Sequence, residues 1–299
     1  MRVMITGGAG FIGTNLALAF DKSDVILVDL PGKFSLEHDG FAKYECDVTD
    51  VEQVKSLPHV DIVYHLAAQV GTHGSLVDPS NDLKQNAVAT LNMLEWSNTV
   101  GVKSFVFASS MAVYGNRVEA IEQDLLLPLS PYGISKHASE IYVNYFMKKN
   151  HGTKYSTFRI YNCYGPGQKT KNKTKGLASI FLEQAKENKG FFVTGTLDRT
   201  RDLVYIDDVV SALKLPFNNP GFFGTYNLCS GTGTSIKELI NATAKLAKIK
   251  KYEISSYEKN IPEDPLNSTG DNSLLREQGW APKVNLQTGL LKCWEIMNE

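Results

Sequence analysis

The sequence has little cysteine, no surplus of either charge and no long apolar run, and each shortage removes a class of protein. The four cysteines, Cys46, Cys163, Cys229 and Cys293, are scattered along 299 residues. They form no Cys-x-x-Cys pair and no zinc spacing, so neither a disulfide scaffold nor a metal centre is expected. Thiols placed this way read first as small buried side chains in a reducing cytoplasm. Lysine and arginine number 31 against 32 acidic residues, a formal net charge of -1. That balance removes the broad positive field by which nucleic acid or an anionic membrane is held. No apolar stretch is long enough to span a bilayer. Met1 to Gly7 runs at once into a strand and a glycine turn, which leaves no room for a signal peptide.

What is present is the balance of a globular protein, 42% hydrophobic and 21% charged, at a length that allows one large domain or two without a covalent staple. Short apolar runs alternate with longer amphipathic stretches through the first half. Arg2 to Ile5, Val25 to Asp29, Tyr44 to Val48, Ile62 to Leu66, Phe105 to Ala108 and Tyr155 to Ile160 read as strands. Phe11 to Phe20, Val51 to Leu57, Asp82 to Asn98 and Ser135 to Lys149 read as helices. Such alternation predicts an α/β fold, a doubly wound parallel sheet with helices on both faces. The order changes after Tyr164-Gly165-Pro166-Gly167. Gln168 to Lys175 reads as an exposed basic loop. Helices at Leu177 to Lys186, Asp207 to Leu215 and Ser235 to Ala247 and strands at Phe191 to Val193 and Thr225 to Leu228 follow, then a less regular last third. The expected division is therefore 1–166 as a cofactor domain, with a segment near 203–220 returning to it, and 167–299 as a smaller mixed α/β substrate domain.

The sharpest local signal is Thr6-Gly7-Gly8-Ala9-Gly10-Phe11-Ile12-Gly13, between a strand and a helix. Gly7 permits the tight turn, Gly10 lets backbone approach a pyrophosphate, and Gly13 lets helix and strand pack closely. The first helical amides, from Phe11 and Ile12 onward, and the positive helix end then hold phosphate. Asp29 ends the second strand about 20 residues on, where a carboxylate accepts from ribose hydroxyls and repels a 2′-phosphate, favouring NAD over NADP. Asp47-Val48 after the third strand is placed to meet adenine, although an aspartate there taken alone is a turn residue. Tyr132 and Lys136 are four residues apart on a predicted helix and so share a face. A lysine there can stabilise a phenolate, whose parent phenol has a pKa near 10. Ser109 and Ser110 end a buried strand, at the carboxyl edge where ligands of such sheets bind.

These residues, with HLAAQ at His65 to Gln69, Asn86, SSMAVYG, SPYGISK, FRIYNCYGPGQ, RDLVYIDDVV and YNLCSG, carry a resemblance that runs from Thr6 to about Trp280. The chain resembles the extended short-chain dehydrogenase/reductases, and among them the NAD-dependent nucleotide-sugar epimerase/dehydratase group. The resemblance implies a Rossmann domain with tightly bound NAD and a triad of Ser110, Tyr132 and Lys136. It implies that Leu66, Ala67 and Ala68 run beside the cofactor, that Asn86 is the helix asparagine near the active site, and that the substrate is a nucleoside-diphosphate sugar. Asn162, Leu177 and Arg201 are the implied substrate contacts, with Arg201 gripping the diphosphate; an ordinary surface salt bridge to Asp202 is the competing reading. The family commonly dimerises through two helices per subunit, which here would be Asp82 to Asn98 and Ser135 to Lys149.

Departures from the family's patterns narrow the reaction. Sugar 4,6-dehydratases carry an acidic pair after the serine or threonine, and the related decarboxylases a glutamate. This chain has Met111-Ala112 there, so no acid or base is available for elimination. A 3,5-epimerase would need a cysteine in that stretch, and uronate 4-epimerases usually carry threonine at the position of Asn162. The pattern is nearest the UDP-hexose 4-epimerases, with a 4-ketoreductase and a non-catalytic NAD-binding relative as the alternatives. The late Arg-x-Gly-Asp segment of those epimerases aligns with Ile261-Pro262-Glu263-Asp264, which lacks the arginine, leaving Lys259 as a substitute. His73, where many relatives carry arginine, reads as a loop residue.

Overall fold

A computed structural model of the chain describes residues 1–168, 176–188, 190–257 and 265–298. The chain forms two compact units. The first takes Met1–Val113, Ser130–Arg159 and Val210–Tyr226, and the second Tyr114–Leu129, Ile160–Val209 and Asn227–Glu299.

In the first unit, β1 (Val3–Thr6), α1 (Phe11–Leu18), β2 (Val25–Asp29), β3 (Ala42–Glu45), α2 (Val51–Lys55) and β4 (Ile62–His65) follow one another. Then come α3 (Thr72–Val77), α4 (Pro79–Leu83), α5 (Ala89–Val100), β5 (Ser104–Ser110), α6 (Pro131–Lys149) and β6 (Lys154–Ile160). The strands β1, β2, β4 and β5 are apolar and almost wholly buried, as β-branched and aromatic runs covered on both faces must be. The sheet order is β6-β5-β4-β1-β2-β3, with the strand Gly224–Leu228 outside β6. This is the doubly wound order in which ligands lie at the carboxyl ends of the central strands. Parallel registers set Thr6 beside both Val28 and His65, and His65 beside Phe107, so the carboxyl ends of β1, β2, β4 and β5 line up. Phe105, Phe107, Met93, Leu94 and Val63 anchor the core beneath them.

Several elements differ from the sequence reading, each for a local reason. The strand expected at Tyr44 to Val48 lies at Ala42–Glu45, on the sheet edge with all four residues exposed, so it carries no apolar signal. The long helix begins at Pro131 rather than Ser135. Proline suits its first turn, and the Ser130 hydroxyl caps it by accepting from the Gly133 amide at 3.2 Å. The helix expected over Asp82 to Asn98 comprises α4, a π-helical turn at Lys84–Val88, and α5, which stops at Gly101 in the left-handed region (φ 74°). His73 lies in α3 rather than in a loop.

In the second unit, β7 (Asn162–Tyr164) pairs in parallel with a strand at Thr200–Tyr205, which also pairs with Gly233–Ser235 and Asn267–Ser268. A second small sheet joins Phe191–Thr194 to Ile254–Tyr257. Helices run over Leu177–Glu187, Ile236–Leu246, Ser273–Glu277 and Leu286–Asn298, and the helix Ile206–Leu213 begins here, its residues from Val210 on belonging to the first unit. The last third is thus more regular than expected. The Asp208 carboxylate accepts from the Lys283 and Val284 amides at 2.9 and 3.0 Å, and its carbonyl accepts from the Trp280 indole at 3.1 Å, which ties the chain ahead of the last helix to the RDLVYIDD segment. Most of the expected basic loop, 169–175, lies outside the described residues, as do Lys259 and Ile261 to Asp264.

Candidate active site

The glycine turn between β1 and α1 is built as its spacing requires. Gly7 sits in the left-handed region (φ 68°), and a Cβ there would lie 2.8 Å from the Ala67 nitrogen. A Cβ on Gly13 would lie 2.2 Å from the Gly7 carbonyl, so only glycine lets α1 start so close to the turn. Gly10 is the N-cap of α1 and offers no side-chain acceptor to the first helical amides, so Phe11 and Ile12 begin the helix with unclaimed donors. Asp29 ends β2 as expected and folds back on the turn, accepting from the Ala9 amide at 2.9 Å and the Leu30 amide at 2.8 Å. Asp47 accepts from the Thr49 amide at 2.9 Å, and Val48 is buried beneath an Asn92 hydrogen bond to its carbonyl. Leu66, Ala67 and Ala68 leave β4 half-buried, with the Ala67 amide donating to Thr6 Oγ1 at 3.2 Å.

At the end of β4, His65 is sealed between two hydroxyls. Nδ1 meets Thr6 Oγ1 at 2.8 Å and Nε2 meets Thr90 Oγ1 at 3.2 Å. Burial, aided by the Lys136 charge, lowers its pKa to about 3 and keeps it neutral.

Ser110, Tyr132 and Lys136 are brought together at the carboxyl end of β5 and the first turns of α6. Burial pushes the Tyr132 phenol up to about 12; a Ser110 hydrogen bond lowers it and the Asp82 carboxylate raises it. Lys136 acts differently from the sequence expectation. Its ammonium donates to the Ala108 carbonyl at 2.9 Å and lies 5.0 Å from the centre of the Phe107 ring, while Tyr132 answers to burial, Ser110 and Asp82. Burial brings Lys136 itself down to about 8, against the raising influence of Asp82 and Glu140.

Two buried polar networks support this pair, and the sequence reading missed both. Asp82 accepts from Ser135 Oγ at 2.6 Å and from Asn86 Nδ2 at 3.1 Å, and Asn86 Nδ2 also donates to Ser135 Oγ at 2.8 Å. Glu140, one turn beyond Lys136, takes Arg159 in a bidentate pair with contacts of 2.7 and 3.0 Å, and accepts the Ser109 hydroxyl. Ser109 is therefore part of the support. The Asp82/Asn86 spacing of four on one helix face was the available signal; nothing local marked Arg159 as the partner of Glu140.

In the second unit, Asn162 on β7 donates to the Asp202 carbonyl at 3.0 Å. Arg201 is buried, with a guanidinium nitrogen 2.7 Å from the Thr200 carbonyl. The surface salt bridge to Asp202 is thus excluded as a surface feature. The Asp202 carboxylate is itself buried and receives Ser230 Oγ at 2.7 Å and the Gly231 amide at 2.9 Å. Leu177 opens the helix Leu177–Glu187.

Residues 3–229 match the family described as the NAD dependent epimerase/dehydratase family. The chain belongs to that family. A UDP-glucose 4-epimerase of Mycolicibacterium smegmatis is 31% identical over 99% of this chain and 98% of its own. A dTDP-4-dehydro-6-deoxyglucose reductase of Escherichia coli is 29% identical over 97% and 95%. Among solved structures, the UDP-glucose 4-epimerase of Thermotoga maritima with UDP-glucose has a TM-score of 0.91 and 32% identity, covering 100% of this chain and 99% of that one. The Thermus thermophilus UDP-glucose 4-epimerase complex with NAD has a TM-score of 0.89 and 31% identity, covering 100% and 99%. NAD is the cofactor of this family, and the first unit fits it. The Gly7/Gly13 cradle excludes any Cβ, and Asn86 Oδ1 is a buried acceptor with no partner among the described residues. Among the described residues, no group of acidic, histidine or cysteine side chains could hold a metal, and no helix is long and apolar enough to cross a membrane.

Proposed function

We propose that the protein is a nucleotide-sugar C4 epimerase. The observation that carries this reading is the half-buried Ser110–Tyr132 pair beside the buried Lys136, followed by Met111-Ala112 where elimination chemistry would need an acid or base. When bound, NAD supplies the acceptor and donor for the C4 hydride, together with the positive charge of its oxidised ring. Tyr132 then takes the 4-hydroxyl proton, and Ser110 donates its own hydrogen bond to the same phenolic oxygen and steadies the anion. With its pKa near 12, the phenol is protonated at neutrality, so its work as a base depends on positive charge arriving with the cofactor. Lys136, tied to the Ala108 carbonyl, holds its ammonium at a fixed place for the nicotinamide ribose. Asn162, Leu177 and Arg201 are assigned to the nucleoside-diphosphate sugar, Arg201 to its diphosphate. Residues 1–166, with the segment near 203–220, are assigned chiefly to NAD and the rest of 167–299 chiefly to the sugar nucleotide.

The E. coli reductase relative keeps a second reading open, a nucleotide-sugar 4-ketoreductase. The two differ in cofactor economy, because an epimerase regenerates NAD each turnover and retains it. The test screens UDP-, GDP-, CDP- and dTDP-sugars by NMR without added cofactor. Formation of a C4 epimer supports the proposal, and turnover only with added reduced cofactor supports the reductase. Tyr132→Phe is expected to abolish turnover while NAD binding survives; full activity in that variant removes the assignment.

A homodimer is part of the proposal. Ile134, Ile141, Tyr142 and Tyr145 on α6 and Leu83 and Val88 on the α4–α5 stretch are exposed apolar side chains on the two helices assigned to the interface. Sedimentation equilibrium measures it. The four free cysteines fit a cytoplasmic location.

A further inference from the structure

Asp82 is fully buried, yet its carboxylate's hydrogen-bond partners Ser135 and Asn86 are neutral. A carboxylate in such a place is costly unless its charge is used. Its neighbours indicate the use. Ser135 immediately precedes Lys136 and follows Tyr132 by one helical turn. Asn86 lies in the π-helical turn, a feature frequent at functional sites. Asp82 meets Ser135 Oγ and Asn86 Nδ2 at 2.6 and 3.1 Å; burial raises its pKa above the ordinary carboxylate value, while Ser135, the Lys136 charge and Asn86 pull it back toward the ionised form.

We propose that Asp82 is a positioning residue for the Tyr132–Lys136 pair, fixing Ser135 and Asn86 by hydrogen bonds and holding Lys136 as an ammonium by its charge. The other charged and titratable groups around Lys136 do not substitute for it. Glu140 on α6 is already neutralised by the Arg159 pair from β6, at 2.7 Å. His65 on β4 is neutral, locked between Thr6 and Thr90. From β5 come only the Ala108 carbonyl and the Phe107 ring. Tyr132 faces Ser110 from β5 and Asp82 from α4. Among the described residues Asp82 forms no salt bridge, and it acts on both members of the pair, favouring the charged lysine and disfavouring the phenolate. The deletion of its charge moves both titrations in the same direction, downward.

The proposal deepens the epimerase reading and depends on it only for its activity arm. The experiment compares Asp82→Asn with Ser135→Ala and the parent protein, all as purified with NAD. Asp82→Ser is a second neutral variant should asparagine not be accommodated. Lysine side-chain NMR titration reads Lys136 directly, because its pKa of about 8 separates it from ordinary lysines near 10.5. Its titration is expected below about 8 in the neutral variants and unchanged in Ser135→Ala. An unchanged Lys136 titration in Asp82→Asn overturns the proposal. In the activity arm, both limbs of the pH–rate profile are expected to shift to lower pH. A uniform fall in rate at every pH means a purely structural residue and also overturns it. If the parent protein turns over no nucleotide sugar, the epimerase reading fails, and the NMR titration still decides the role of Asp82.

Discussion

Lys136→Met tests the electrostatics of the site through stability alone. In the parent protein an ammonium is buried with hydrogen-bonding support from one carbonyl, that of Ala108 at 2.9 Å. Its pKa is lowered from 10.5 to about 8 by burial. Between those two values the unfolded chain holds a proton that the folded protein has released. Stability must therefore rise with pH across that window, by a tenfold change in the folding equilibrium per pH unit. Below about pH 8 the lysine is charged in both states and carries the full cost, about 3 kcal/mol. Above 10.5 it is neutral in both and the cost is gone. Methionine has nearly the same length and no charge, so the variant lacks this dependence. The assay is urea unfolding of both proteins at half-unit steps from pH 7 to 10, followed by tryptophan fluorescence. Other groups titrate alike in both and cancel in the difference. The stability difference is expected to be flat from pH 7 to about 8, then to move in favour of the parent protein by about 3 kcal/mol in total. A difference that stays constant to pH 10 would refute the buried-ammonium argument, and with it the reading of Lys136 as a strained functional charge.

Other variants probe the remaining parts of the site. Gly13→Ala drives a Cβ to 2.2 Å from the Gly7 carbonyl; the purified protein is expected to lose bound NAD, measured by absorbance after denaturation, and to melt earlier. Glu140→Gln leaves the Arg159 guanidinium buried without its carboxylate, and a loss of about 3–5 kcal/mol is expected by chemical denaturation. Much of that loss should return in the double variant with Arg159→Met, and full independence of the two changes would count against the pair. His65 is neutral when folded and titrates near 3 rather than 6.5. The unfolded chain therefore takes up the proton first, and stability falls as pH drops from about 6.5 toward 3. His65→Gln should remove that acid dependence, read as the difference in melting temperature between pH 7 and pH 5.

The strands β1, β2, β4 and β5 were legible because a strand buried on both faces is a continuous apolar run, and Val25 to Asp29 reads so without ambiguity. The strand β3 was misplaced because its four exposed residues carry no such signal. The glycine turn was legible for a different reason. Gly13 answers to a backbone contact six residues away, at Gly7, although Gly7 itself answers to Ala67 from the neighbouring strand's end. Tyr132 and Lys136 were visible as a helical pair, but the expected lowering of the phenol by the lysine is not what acts on it. Which neighbour a charge meets depends on side-chain direction, and Lys136 points to the Ala108 carbonyl.

The sequence by itself determined the doubly wound fold and the glycine turn, because these rest on periodicity and on spacings of a few residues; its motifs carried the family and, through that resemblance, the proposed triad. Tertiary structure alone decided what surrounds the triad. Asp82 reaches Ser135 across 53 positions, Ser109 reaches Glu140 across 31, and His65 reaches Thr6 across 59. Burial shifts Tyr132, Lys136 and His65 from their ordinary values, and it is not a property of neighbours along the chain. The chemistry of Tyr132 and Lys136 is therefore written in which distant side chains the sheet and helices bring against them.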